Sequence, residues 1–199
     1  MMIDLFPTRV EKGSVIPTEI QRQNTQEGLD SLFAQCKSNA WTGESGLSTG
    51  QLNLELYNHV DLSWLFESLY PSVVNYWRSL NYQPMNIGLT SCWANLHRKG
   101  DTTREHSHSD GFHGFNVISG VYYFKKPHGV GNIKFCNPLD NILRMTPYKD
   151  MQGIDTIATE IETTQYEYIL FPSWLRHRVD EHPVDEERIA ISFNYNGML

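Results

Sequence analysis

The stretch Glu187 to Asn194, "ERIAISFN", decides the fold. Side chains on a strand alternate between two faces. Ile189, Ile191 and Phe193 then share one face and can pack in an apolar layer. Arg188, Ala190, Ser192 and Asn194 share the other, which is small or polar and can line a cavity. A cavity that holds a metal and an anion needs such a wall.

Working toward the N-terminus, short strand-like runs punctuated by Gly and Pro continue back to about residue 88. They cover 89–98, 104–109, 116–125, 131–136, 154–163, 166–171 and 175–180, with 188–195 as the last. The first 88 residues have another texture. Residues 18–37 place Ile20, Leu29, Leu32, Phe33 and Cys36 at roughly helical spacing, with Thr18 as the N-cap. "NAWTGESGLSTG" (39–50) is loop by its Gly, Ser and Thr content. Residues 61–80 carry Leu62, Leu65, Phe66, Leu69, Val73, Tyr76, Trp77 and Leu80 at helical period, and Pro71 should split or kink that helix. A helical front followed by eight short strands predicts a mainly β fold, with N-terminal helices packed on a sandwich or barrel.

Composition agrees. At 199 residues the chain suits a single domain, with 1–88 as an extension carrying supporting helices and 89–199 as the core. Apolar content of 40% and aromatic content of 12% can fill a sizeable core. A net charge of −7 with no basic run speaks against backbone-driven nucleic-acid binding. No stretch approaches the roughly 18 apolar residues of a membrane span, and "MMIDLFPTRVEKG" lacks the basic start and apolar centre of a signal peptide. Cys36, Cys92 and Cys136 are odd in number, scattered and outside any Cys-x-x-Cys pair. They read as reduced thiols of a cytoplasmic protein.

The chemistry lies in "HSH" (106–108), His177 and Arg188. On a strand His106 and His108 point the same way, a two-pronged clamp to which His177 can add a third nitrogen, leaving part of a metal's coordination sphere open. Arg188 could grip the far carboxylate of a dicarboxylate co-substrate, with Ser192 donating a hydroxyl to it and Asn95 touching co-substrate or substrate. Blander readings exist. A His-x-His pair also occurs by accident in polar loops, and an arginine beside Glu186 and Glu187 can simply be solvated. A shifted strand would instead make His108 and Asp110 the pair. Trp93 is expected in the core, and His97, His113 and His128 in loops or on the surface, with His113 a candidate to meet substrate. Of Tyr122 and Tyr123 at most one can enter the cavity. Phe171, Pro172 and Trp174 are expected to pack and position the turn before His177.

With these residues in hand, the chain resembles the Fe(II)- and 2-oxoglutarate-dependent oxygenases, most nearly a small prolyl-4-hydroxylase-like branch found in bacteria and phages. The likeness runs through "LFPT" (5–8), "WAN" (93–95), Gly100, "HSH" (106–108), "SGVYYF" (119–124), "LFPSWLRH" (170–177) and "ERIAISFN" (187–194). It implies a double-stranded β-helix, a cupin-like jelly roll buttressed by helices. It also implies Fe(II), 2-oxoglutarate and O2 as cofactor and co-substrates, and hydroxylation of a second substrate as the diacid is decarboxylated to succinate. By the spacing from Trp93 and Gly100, His106 takes the first ligand position and His108 the second. His177 takes the third, and Arg188 holds the distal carboxylate. The chain departs from the pattern at 108, where the superfamily usually has Asp or Glu, and at Ala190, where an Arg-x-Ser pattern would place serine. The segment between His108 and "SGVYYF" is longer than in the branch.

The second substrate is a small molecule or a peptide or protein side chain, and the oligomeric state is open, a homodimer included. Two other functions stay on the table: a non-catalytic module that keeps a metal or ligand site, and a three-histidine dioxygenase that does without 2-oxoglutarate.

Overall fold

The parity of the last strand is realised in full. In the computed structural model, which describes residues 7–37, 45–83, 85–109, 116–140 and 158–198, Arg188–Met198 forms β10. Ile189, Ile191 and Phe193 enter one apolar cluster with the helices, while Arg188, Ala190, Ser192 and Asn194 line a cavity on the opposite side. Of the residues singled out above, Asp110, His113, Leu5 and Phe6 lie outside the described residues, as do the first part of the 39–50 loop and residues 154–157.

Eight strands follow one another as expected: β3 (Asn86–His97), β4 (Thr103–His106), β5 (Ile118–Lys125), β6 (Ile133–Cys136), β7 (Ala158–Ile161), β8 (Glu167–Pro172), β9 (His177–Val179) and β10. They form two antiparallel sheets. The larger is six-stranded in the order β1-β8-β5-β10-β3-β2, and the smaller runs β4-β9-β6-β7. From β3 onward the chain passes back and forth between the two sheets, save for the antiparallel pair β6 and β7 within the smaller one, which winds it into a double-stranded β-helix. The larger sheet is extended at its two edges by strands the sequence did not announce, β1 (Glu11–Ser14) and β2 (Leu47–Ser48). Both are short and lack a hydrophobic alternation, so pairing with β8 and β3 makes them strands, not propensity.

Helix α1 (Glu19–Phe33) starts at Thr18, whose hydroxyl accepts from the Gln21 N–H while the Gln21 side chain accepts from the Thr18 N–H, a reciprocal cap. Leu29, Leu32 and Phe33 are buried, but Ile20, in the first turn, is 72% exposed. Helix α2 (Ser63–Ser79) corrects one expectation. It runs unbroken through Pro71. Pro71 and Glu67, whose carbonyl loses its partner, are both exposed, so water can take the missing bond. Leu65, Leu69, Val73, Tyr76 and Trp77 form its buried stripe against the outer face of the larger sheet. Phe66 meets Phe193 edge-on at 5.6 Å and Trp64 meets Tyr122 edge-on at 5.9 Å. No helix among the described residues is long and apolar enough to cross a membrane.

A second, smaller apolar cluster fills the space between the sheets: Val121, Tyr123, Ile133, Phe135, Ile169, Phe171, Leu175 and Ala190. Tyr122 and Tyr123 thus part company, one under the helices and one inside. Phe193 joins α2 to the central strand and is fully buried. Phe193→Ala should lower the unfolding free energy by about 3–5 kcal/mol in a denaturant titration, the cost of an aromatic cavity that neither layer can close.

Candidate metal centre and its cavity

A cavity of about 790 Å³ opens between the sheets, and all six residues singled out as candidates line it: Asn95, His106, His108, His177, Arg188 and Ser192. Each is delivered by strand geometry. His106 ends β4 and pairs with His177 on β9. His108 lies just past the strand, held by its N–H to the Ser173 carbonyl at 2.9 Å. The three rings face one another, with centroids 5.2 Å (106–108), 4.3 Å (106–177) and 5.1 Å (108–177) apart.

The partners of the ring nitrogens decide what the cluster can do. Nδ1 of His106 lies 2.9 Å from the Arg104 carbonyl, and Nδ1 of His177 lies 2.9 Å from the Leu175 carbonyl. Carbonyls only accept, so both Nδ1 atoms carry the hydrogen. Nδ1 of His108 is 2.7 Å from Oδ1 of Asn194, whose amide nitrogen donates to Ser91 Oγ. With the amide oxygen turned to the ring, His108 also donates from Nδ1. In neutral rings that leaves three Nε2 lone pairs. Those of His106 and His108 stand 3.2 Å apart, and one ligand atom from each ring lies within 4.8 Å of the others. Lone pairs that close repel unless a cation sits among them. Imidazole nitrogens held about 2.1 Å from one ion at right angles stand about 3.0 Å apart. The donor set fits a divalent transition metal. Nδ1–H bonds of this kind set the tautomer and the ring orientation of metal-bound histidines. His177 is held well below the ordinary imidazole range, chiefly by burial and then by the two neighbouring rings, so it is neutral and able to ligate at pH 7.

Arg188 is 3% exposed. The neighbouring glutamate does not pair with it: Glu187 turns outward to Arg98 and Lys125, each at 3.1 Å. Arg188 instead donates from Nε to the Gly131 carbonyl at 2.8 Å and lies 5.1 Å from the Tyr123 ring centre. Among the described residues no carboxylate reaches it. A buried guanidinium without a counter-ion is costly, and this one looks into the cavity that holds the three histidines. Asn95 and Ser192 share that wall and touch at 3.4 Å.

Some assignments need correction. His97 is neither in a loop nor on the surface. It ends β3, is 3% exposed, pairs across the ladder with Arg188 and lines the cavity. The expected strand 89–98 already contained it, and parity with Trp93 and Asn95 would have turned it to the cavity. Trp93 lines the cavity 5.4 Å from His108 and is not a core residue. Trp174 is 46% exposed, so Phe171, 4.8 Å from His177, and Leu175 do the packing there. His128 is exposed as expected. The sequence reading missed Ser119 and Asn194, which brace His108, and the wall contributed by residues 45–55.

Burial, then the charge of Arg188 and the proximity of His182, pushes His97 down to about 3. A histidine kept neutral in the fold but free to protonate when unfolded costs stability as pH falls below its unfolded value of about 6.5. His97→Gln should therefore flatten the decline of unfolding free energy between about pH 6 and pH 4 by about 1.4 kcal/mol per pH unit, read from denaturant titrations across that range.

A family model described as "Putative 2OG-Fe(II) oxygenase" matches residues 91–194, the run from β3 to β10 that carries every residue of the cluster. No curated protein matches the chain. Solved structures share the fold at low identity. A prolyl-4-hydroxylase from Pseudomonas putida superposes with a TM-score of 0.60 at 12% identity, over 96% of this chain and 94% of that one. HygX from Streptomyces hygroscopicus, with nickel, 2-oxoglutarate and hygromycin B bound, gives 0.62 at 9% identity, over 96% and 84%. The viral collagen prolyl hydroxylase of Paramecium Bursaria Chlorella virus-1, in complex with 2OG, gives 0.56 at 11%, over 95% and 96%.

Proposed function

The chain belongs to the 2OG-Fe(II) oxygenase family, and on that premise we propose that His106, His108 and His177 hold the iron through Nε2, that Arg188 binds the distal carboxylate of 2-oxoglutarate, and that the reaction hydroxylates a second substrate. The observation that carries this reading is the pairing, in one cavity, of three converging lone pairs with a buried guanidinium lacking any carboxylate among the described residues. Arg188 has no work in a dioxygenase that dispenses with the diacid, and this sets the three-histidine alternative aside.

When bound, Fe(II), 2-oxoglutarate and O2 supply the oxidation: the diacid becomes succinate and CO2, and one oxygen atom is placed in a C–H bond of the substrate. The chain's own residues prepare that chemistry. Three neutral imidazoles in place of two and a carboxylate leave the ion's charge uncompensated by protein, so co-substrate carboxylates meet a more positive centre. The Nδ1–H bonds to Arg104, Leu175 and Asn194 fix each ring before metal arrives. Val121, Ile133, Phe171 and Ala190 give the cavity a dry wall, which strengthens the attraction of Arg188 for an anion. Asn95 and Ser192 offer an amide and a hydroxyl to co-substrate or substrate. Ser48, Gln51, Asn53 and Glu55 line the same space, and we assign the second substrate to their side. It is a small molecule or a peptide side chain.

Anaerobic titration with Fe(II) and then 2-oxoglutarate tests this. The wild type should develop a weak visible charge-transfer band. Arg188→Ala should bind 2-oxoglutarate about 100-fold more weakly while still binding metal, since a buried charge would lose its partner. His177→Ala should lose the metal. A wild type that binds 2-oxoglutarate no better than Arg188→Ala overturns the reading. In a chelator competition with Co(II), Asn194→Leu should weaken metal binding by about tenfold, because His108 Nδ1 loses its shorter partner and keeps only Ser119 Oγ.

A further inference from the structure

Two charged side chains on the cavity lining meet no partner of opposite charge among the described residues. Arg188 is one. The other is Glu55, the acidic residue of that lining. Its place follows from β3. One carboxylate oxygen, Oε2, accepts from the Cys92 N–H at 2.8 Å along the strand's free edge. Cys92 buries its side chain in the apolar cluster under the helices, while Ser91 and Trp93 on either side of it line the cavity. Both belong to the surroundings of His108. Ser91 Oγ accepts from Asn194, which braces that ring, and the Trp93 ring lies 5.4 Å from it. The Glu55 carboxylate thus stands at the level of the histidines, on the side assigned to the second substrate.

Arg188 marks another level of the same wall. It pairs with His97, five positions beyond Cys92 and about 17 Å along the strand. The cavity is therefore polar along β3, with a guanidinium toward one end and a carboxylate toward the other. The diacid takes the first. No side chain takes the second, since among the described residues Glu55 forms no ion pair and its one bond is to the Cys92 N–H. Arg104, the remaining arginine of the lining, is exposed on β4. A single backbone N–H does not neutralise a part-buried carboxylate. A hydroxyl from a ligand would add only a hydrogen bond, whereas an ammonium adds a hydrogen bond and the opposite charge. Trp93 supplies an aromatic face on the same lining, and such faces attract cations.

We propose that Glu55 is a specificity-determining residue that binds an ammonium group of the second substrate. The inference deepens the reading of this cavity as an oxygenase site and rests on it. The ammonium belongs to a small amine or to a lysine side chain of a peptide. Glu55 also stitches the 45–55 stretch to β3, and Glu55→Gln separates the two roles: an amide oxygen still accepts the Cys92 N–H, and only the charge is lost.

Butylamine and butanol, alike in shape, serve as probes. Each is titrated into the anaerobic Fe(II)–2-oxoglutarate complex, read by the shift of its visible band, and into metal-free protein, read by tryptophan fluorescence. Wild type should bind butylamine about fivefold more tightly than butanol, the scale of one partly exposed charge pair. Glu55→Gln should bind the two alike, with its affinity for metal and 2-oxoglutarate unchanged. Nα-acetyl-lysine methylamide separates the sources: binding tighter than that of butylamine, and weakened in Glu55→Gln, assigns the ammonium to a lysine side chain, while weaker or equal binding assigns it to a small amine. A wild type without preference for the amine, or a Gln variant that keeps the preference, overturns the inference, and Glu55 then only stitches the cover. If wild type prefers the amine but does not bind 2-oxoglutarate, the reading of Arg188 fails and the assignment of Glu55 as an amine site survives it.

Discussion

The site hangs on the hydrogen-bonded ladder that holds β10 between β3 and β5. In this central position each residue of β10 from Ile189 to Tyr195 has a fixed neighbour on both sides, Ala190 between Asn95 and Tyr123 and Ser192 between Trp93 and Val121. The apolar face is locked under α2, so the strand cannot slip by one residue without turning Ile189, Ile191 and Phe193 into the cavity. The hydrophobic layer thereby orients the polar one. Arg188, by our reading the anchor of the co-substrate, and Asn194, which braces the His108 ring, stand six positions apart and about 20 Å along the strand. One register serves both ends of the cavity.

The electrostatics of the interior follow a single pattern. Acceptors supplied by backbone carbonyls, hydroxyls and one amide hold the three histidines and Arg188, and among the described residues the carboxylate on the cavity lining, Glu55, is turned to the Cys92 N–H. The surface is treated differently. Lys134 pairs with Glu160 and Asp180, Arg176 and Arg178 with Glu105, and Lys12 with Glu167. Anionic partners are thus spent outside, where each pair contributes little. The interior keeps its cation and, by our reading, its metal in need of an anionic ligand brought by the co-substrate.

Much of this was legible in the sequence, for reasons that can be stated. Periods of two and of 3.6 residues report which faces are buried, so all eight strands of the β-helix and both helices were found, and parity placed Arg188 and Ser192 on the cavity wall. His106 and His108 were readable as a pair because they are two residues apart. Features that depend on tertiary pairing were not. β1 and β2 carry no alternation of their own. Pro71 lies on the solvent side of α2, a fact that only packing reveals. His97 lay within the strand read over 89–98, but its burial against Arg188 depends on the pairing of β3 with β10. His182 stands in an acidic loop whose composition gives no hint of which side chain turns inward. The bracing of His108 by Asn194 and Ser119 joins residues far apart in the chain.

The stretch from Ser45 to Glu55 runs along the free edge of β3, and only Leu47 and Ser48 pair with it as a strand. Beyond them side chains take over: Thr49 Oγ1 accepts from the Ala94 N–H at 2.9 Å, and a Glu55 carboxylate oxygen accepts from the Cys92 N–H at 2.8 Å. Because this cover is sewn on by a few side chains and belongs to none of the eight winding strands, its length and composition can change while the oxidising apparatus stays intact. Selection can therefore retarget such an enzyme by editing its front, with the catalytic scaffold handed down unaltered.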